Sequence, residues 1–192
     1  KVLWIYHLPE TGAPVHVGTL NLPNVSSGGF FVLSSDGNWA FLSSSTSLKV
    51  IDISNPTQAI ISASLELPST VGNLNLNVSE NIVYLGGGNK LYVVDVSNRL
   101  SPFLRGTFNV PTFLSSIVEI ASVRIQGHDL VAVESINGNT AGYMALRILD
   151  ASNPNLPIEV YSEQTYIGIP LFGNQSNLFA FLQNYWTAES KF

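Results

Sequence analysis

Leu48-Lys49-Val50-Ile51-Asp52-Ile53-Ser54-Asn55-Pro56 is written again, in altered form, as Leu91-Tyr92-Val93-Val94-Asp95-Val96-Ser97-Asn98 and as Leu146-Arg147-Ile148-Leu149-Asp150-Ala151-Ser152-Asn153-Pro154. A fourth, eroded copy opens the chain: Leu3-Trp4-Ile5-Tyr6-His7-Leu8 fits the frame, with His7 in the slot held elsewhere by Asp52, Asp95 and Asp150. Downstream prolines keep the register. Pro23, Pro68 and Pro111 each stand 16 residues after His7, Asp52 and Asp95, and Pro14, Pro102 and Pro157 stand seven after His7, Asp95 and Asp150. The slots are 45, 43 and 55 residues apart, in the range of propeller blades rather than of helical solenoids or leucine-rich arrays.

Each period carries four short apolar-alternating runs separated by turn residues. In one repeat these are residues 30–34, 39–43, 48–53 and 60–67, with Asp36-Gly37-Asn38 between the first two. The grammar recurs at 74–78, 82–85, 91–96 and 103–110, and again at 118–125, 130–134, 146–150 and 158–161. Period-two alternation bounded by Gly, Asn, Asp and Pro is the signal of strands joined by hairpins. No window of helical length repeats apolar residues at i, i+3, i+4 and i+7 without a breaker, so the class is all-β. Four antiparallel strands per unit, repeated, predict a β-propeller in which each blade's inner strand lines a central channel and neighbouring blades bury each other's faces. About four repeats, at residues 1–47, 48–90, 91–145 and 146–192, make one domain of residues 1–192.

The chain has 192 residues, 45% of them hydrophobic, enough for one domain with a real core. Only 11% are charged, against about 25% in ordinary soluble domains, so Ser, Thr, Asn and Gln must supply the polar surface, a composition that points outside the cell. The net charge of −5 comes from scattered acids, with no Lys or Arg run to track phosphates. Nucleic acid is therefore not expected as a partner, nor an anionic membrane surface. Cysteine is absent, which removes disulfides and thiol chemistry. No stretch approaches the ~20 apolar residues of a membrane span. The chain opens at Lys1 without Met, which reads as a mature or excised segment.

The Asp-x-Ser-Asn-Pro stretch has a mechanical reading. An Asp at a strand end accepts hydrogen bonds from groups two residues on, and Pro removes a donor where the strand must stop. Three Asp residues in one frame invite a metal reading, but they belong to separate blades, each beside its own turn. Gly86-Gly87-Gly88 lacks a following Lys-Ser or Lys-Thr and reads as a hairpin tip. His7, His16 and His128 show no metal-ligand spacing, His7 fitting a turn slot and His128 a hairpin tip. The carboxylates closest in sequence, Glu159 and Glu163, would need tertiary convergence for acid/base use. No catalytic residue, metal ligand or cofactor is assigned, and the reading leans away from an enzyme.

The motif residues resemble the LVIVD repeat, a β-propeller repeat found largely in secreted and surface-attached prokaryotic proteins. The likeness is strongest at residues 48–56 and 91–98, moderate at 146–154 and weak at 3–9. It implies a propeller and an extracellular or cell-surface location, and supplies no activity. Phase adds that residue 1 falls at the third strand of a blade and residue 192 after the second strand of another, 178–182. Either the two halves close a four-bladed ring, with residues 2–6 beside 178–182, or the chain is a segment of a larger propeller. The segment is the preferred reading, because LVIVD-type propellers are larger.

Recognition is expected on the loops between strands two and three and between blades. The long 135–144 loop offers Asn137, Asn139 and Tyr143, and the corresponding C-terminal segment offers Tyr185 and Trp186, as candidate ligand-binding residues. Of three glycosylation sequons, those at Asn24 and Asn174 lie in expected loops, and that at Asn77 in an expected inner strand. The function expected is a non-catalytic surface module for binding, adhesion or assembly, its partner a protein or glycan. The alternatives are a propeller enzyme acting on glycans at its channel, and a surface-polymer subunit whose blades are completed between chains or by remaining blades of a longer one.

Overall fold

A computed structural model describes residues 1–25, 29–77, 79–110, 116–136, 144–165, 171–173 and 178–180. Among them every sheet is antiparallel, and the one helical element is a 3-10 turn at Pro56–Gln58. The first sheet pairs β1 (Val2–His7) with β2 (Val15–Asn21). Three four-stranded sheets follow in strict sequence order. They are β3 (Phe31–Leu33), β4 (Trp39–Ser44), β5 (Ser47–Asp52) and β6 (Ile60–Glu66); β7 (Leu74–Leu76), β8 (Ile82–Gly87), β9 (Lys90–Asp95) and β10 (Phe103–Asn109); and β11 (Ser116–Ile125), β12 (His128–Ile136), β13 (Met144–Asp150) and β14 (Ile158–Thr165). The last sheet pairs β15 (Leu171–Gly173) with β16 (Leu178–Ala180).

Alternation explains how these sheets become blades. Along β8, Ile82 and Tyr84 join Val131, Val133 and Leu149 of the following blade in one apolar cluster, while Val83 and Leu85 join Phe41, Leu48 and Val50 of the preceding blade in another. A central strand with both faces covered is therefore apolar at every position. Burial of each such side chain contributes about 1.5–3 kcal/mol. The inner strands succeed one another, β3 against β7, β7 against β11 and β11 against β15. Polar side chains cross these inner seams: Ser43 Oγ donates to the Gly72 carbonyl, Asn73 Nδ2 to that of Val118, and Ser122 Oγ to Asn75 Oδ1 at 2.6 Å.

The outer strand of each blade is bulged at one shared position. Val17, Ser62, Arg105 and Val160 are each skipped in the pairing, so Gly18, Ala63, Gly106 and Tyr161 stand opposite Ile5, Val50, Val93 and Ile148. Those partners lie two residues before the His7, Asp52, Asp95 and Asp150 slots. Four bulges in one register show that the motif copies are structural equivalents. At two seams the residue after the bulge is a glycine for lack of room. A Cβ on Gly18 would sit 1.7 Å from the Pro56 carbonyl oxygen, and one on Gly106 2.5 Å from that of Pro154.

The sequence expectation of an all-β propeller with strands at these places holds, with two differences. The Gly86-Gly87-Gly88 run is not all hairpin tip: Gly86 and Gly87 pair in β8 with Leu91 and Lys90, and Gly88 alone turns, at φ 54°. Asn77 lies just past β7 rather than within it. It is buried, and its side-chain Oδ1 accepts from the amides of Asn81 and Ile82 at 3.0 Å each. The arc is open: among the described residues β1 pairs only with β2 and β16 only with β15, so the ring-closing pairing is not formed and the propeller is partial. Trp4 and Tyr6, in the register slots that Tyr92 and Val94 fill within the arc, are 58% and 50% exposed.

Candidate functional site

The two ends of the blades have different chemistry. At one end lie the strand one–two turns and the Asp-slot turns. Asp52 Oδ1 accepts from the Ser54 amide at 2.9 Å and its hydroxyl at 2.6 Å, Asp95 Oδ1 accepts from Ser97 at the same two distances, and Asp150 Oδ1 accepts from the Ser152 amide at 2.9 Å. Three residues on, Asn55, Asn98 and Asn153 accept from the amides of Thr57, Leu100 and Asn155. These are tandem Asx turns, and the three carboxylates occupy equivalent places in successive blades. Hydrogen bonds from Ser152 hold the Asp150 carboxyl below its ordinary value, and His128 Nδ1 lies 2.8 Å from its other oxygen. Burial raises the Asp95 carboxyl, but Ser97 and Arg105 outweigh it and the net shift is downward. Arg105, the bulged residue, reaches Asp95 Oδ2 at 2.9 Å and Asn155 Oδ1 of the next blade at 2.8 Å, tying two blades together.

The opposite end gathers the strand two–three turns and the interblade connections. The Leu67 and Val71 amides donate to the carbonyls of Thr46 and Ser45, and the Val110 and Ile117 amides to those of Asn89 and Gly88. A cavity of about 300 Å³ opens there between the β6–β7 connection and the β8–β9 hairpin. Pro68, Ser69 and Thr70 form one wall; Gly87, Gly88, Asn89 and Lys90, with Tyr92 behind them, form the other. The buried Tyr92 ring is fixed by a 2.7 Å hydrogen bond between its hydroxyl and Ser69 Oγ. Gly87 lets the two walls pack closely, since a Cβ there would stand 2.7 Å from the Thr70 carbonyl oxygen and 3.0 Å from the Tyr92 ring. Lys90 is the one charged residue in the lining, and it is exposed. The hydroxyls of Ser69 and Thr70, the Asn89 amide side chain and a cation line a space the size of a small ligand.

Asn137, Asn139, Tyr143, Tyr185, Trp186 and Asn174 lie outside the described residues. Asn24 is exposed, in the left-handed region at φ 61°. Neither wall of the cavity was selected from sequence as a binding site. Pro68 and the glycine run are visible as punctuation, but only the fold brings them together.

Glu159 and Glu163 both lie in β14 and take separate partners, Arg147 for the first and the Tyr161 hydroxyl at 2.6 Å for the second. A different carboxylate pair emerges. Glu119 on inner strand β11 stands directly opposite Glu134 on β12, beside the bulge at Val118. Glu134 is buried, Glu119 half-buried, and burial raises the Glu119 carboxyl above its ordinary value. Among the described residues no three of His, Asp and Glu are grouped so as to hold a metal ion.

The model of the LVIVD repeat matches residues 33–66, from the end of β3 through β6, and residues 74–110, the blade β7–β10. The chain carries LVIVD repeats. The blade β11–β14 keeps the same topology and Asp-slot turn beyond the matched stretches. Solved structures similar to this LVIVD-repeat chain include a protein from Lactobacillus plantarum, at a TM-score of 0.64 and 13% identity over 83% of this chain and 50% of that one. Another is the Cps50 β-propeller domain of Myceliophteria thermophila, at 0.57 and 15% identity over 83% and 52%. A third is a hypothetical selenium-binding protein from Sulfolobus tokodaii, at 0.60 and 12% identity over 78% and 44%. At these identities the likeness shows the β-propeller fold alone, and the chain spans about half the length of those it matches. No curated protein matches it in sequence.

Proposed function

We propose that this LVIVD-repeat propeller is a non-catalytic binding module at the cell surface or outside the cell, acting through the end that carries the strand two–three turns and interblade connections. The observation that carries the reading is the cavity between the 68–70 connection and the 87–92 hairpin. It lies on the face where binding is expected, where the connection that leads into one blade meets a hairpin of that blade. The charge-poor, Ser- and Asn-rich composition supports the extracellular setting, and the exposed Asn24 is a candidate glycan attachment site there. The partner class is a protein or a glycan, and adhesion or surface assembly follows from displaying such a face on a rigid arc. Arrays of glycans and peptides screened with the 192-residue chain, followed by hydrogen-exchange footprinting of each hit, test it. Protection of residues 68–70 and 87–92 is expected, and protection confined to the Asp-slot end would overturn it.

A second reading, hydrolysis of glycans at the channel, rests on the Glu119–Glu134 pair. Two facing carboxyls on the first and second strands of a blade, one raised by burial, have the makings of a general acid beside a base. Glycan hydrolysis lost in Glu119→Gln would favour it.

A further inference from the structure

The cavity chemistry narrows the ligand class, an inference that rests on the binding reading above. We infer that the cavity takes a small hydroxylated carboxylate of the sugar-acid class. About 300 Å³ is the low end of small-molecule sites and suits a single sugar ring rather than a helix or a folded partner. The walls offer what such a ring uses. The exposed Pro68 is an apolar surface for its C–H edges. Thr70 adds a hydroxyl, and the half-buried Ser69 hydroxyl, already bonded to that of Tyr92 at 2.7 Å, retains further hydrogen-bonding capacity. The positive φ of Gly88 and the open space where its side chain would stand leave its backbone accessible to an occupant.

Charge decides between a neutral and an acidic sugar. Lys90 is the single ionised group among the lining residues, and no Asp or Glu stands with it. Among the described residues no carboxylate forms an ion pair with its ammonium. In a chain of net charge −5, an exposed lysine at a cavity mouth free of acids makes a local site for an anion, attracting one against the overall field. A carboxylate anchored there leaves its hydroxyls to face Ser69, Thr70 and Asn89.

The test is titration of the 15N-labelled chain with glucuronate, with glucose and acetate as the uncharged and ring-free comparisons. Amide shifts at Thr70, Gly88, Asn89 and Lys90 are expected with glucuronate, weakening as salt is raised. Lys90→Gln should lower affinity about fivefold, the upper end for an exposed ion pair, while Lys90→Arg should retain it. Both changes fall on an exposed side chain, so the fold is preserved. Unmoved amides at these positions, equal binding of glucose, equal binding of acetate, or an unaffected Lys90→Gln variant would each overturn the assignment. If a neutral glycan or peptide shifts the same amides and glucuronate does not, the ligand class falls and the binding face stands. If no probe reaches this end, both fall.

Discussion

The Cβ that Gly106 lacks would stand 2.5 Å from the carbonyl oxygen of Pro154 in the next blade, closer than real Cβ atoms approach backbone. Because backbone cannot yield as a flexible side chain does, Gly106→Ala should force two blades apart. An overpacking cost of about 1–3 kcal/mol is expected, read as a lower urea midpoint. Gly37→Ala, at a turn with open space around it but a φ of 69°, separates backbone strain from seam crowding; Gly106→Ala should cost more.

The Asp slots differ in what they hold, and their variants should rank accordingly. Asp52→Ala removes the two bonds from Ser54 and should cost about 1 kcal/mol, the scale of a lost local cap. Asp95→Ala also removes the Arg105 bond and should cost about 1–2 kcal/mol, the ion-pair part held down by partial exposure. Thermal melts rank the two. Ligand affinity should be unchanged in both, since the slots and the cavity lie at opposite ends of the blades.

Acid should destabilise the chain through these carboxyls. Asp95 and Asp150 titrate below their ordinary value in the folded chain. Their contribution is fully present above the unfolded value, about 3.9, and is lost as pH falls through the lowered folded value. Stability should hold from pH 7 to about 5 and decline below about 4, with a shallower decline in Asp150→Asn. A urea series across pH checks this.

Glu119 carries the opposite sign. Burial raises its folded value, so it favours the fold below the unfolded value, and that contribution is lost as pH rises through the folded one. Glu119→Gln should therefore stabilise at pH 7, with the difference vanishing in acid. Paired melts at pH 7 and pH 4 read it out.

Strand order, the all-β class and the Asx turns were legible in sequence because each is set by residues within a few positions of one another. The Asp52, Asp95 and Asp150 turns form with the Ser two residues on, as read. What was not legible depends on register between strands or blades. The opposition of Glu119 and Glu134 follows from a bulge at Val118 that no local signal marks, and the 68–92 cavity needs a connection from one seam to meet a hairpin well beyond it in sequence. Length alone drew attention to the 135–144 loop, whereas the cavity is built from short, ordinary turns.

The shared bulge has a consequence for how such a chain can gain or lose parts. The motif period, such as residues 48–90, is offset from the blade, running from the third strand of one sheet to the second strand of the next. Excising a whole period would splice β3–β4 onto β9–β10 and still leave four strands in register. The seams are less forgiving than the strands. Gly18 now meets Pro56 and Gly106 meets Pro154, while the corresponding positions at the middle seam are Ala63 and Arg99. The splice would set Gly18 against Arg99, so duplication or deletion of a unit preserves each sheet yet mismatches its neighbour, and the order of blades is recorded in these residue pairs.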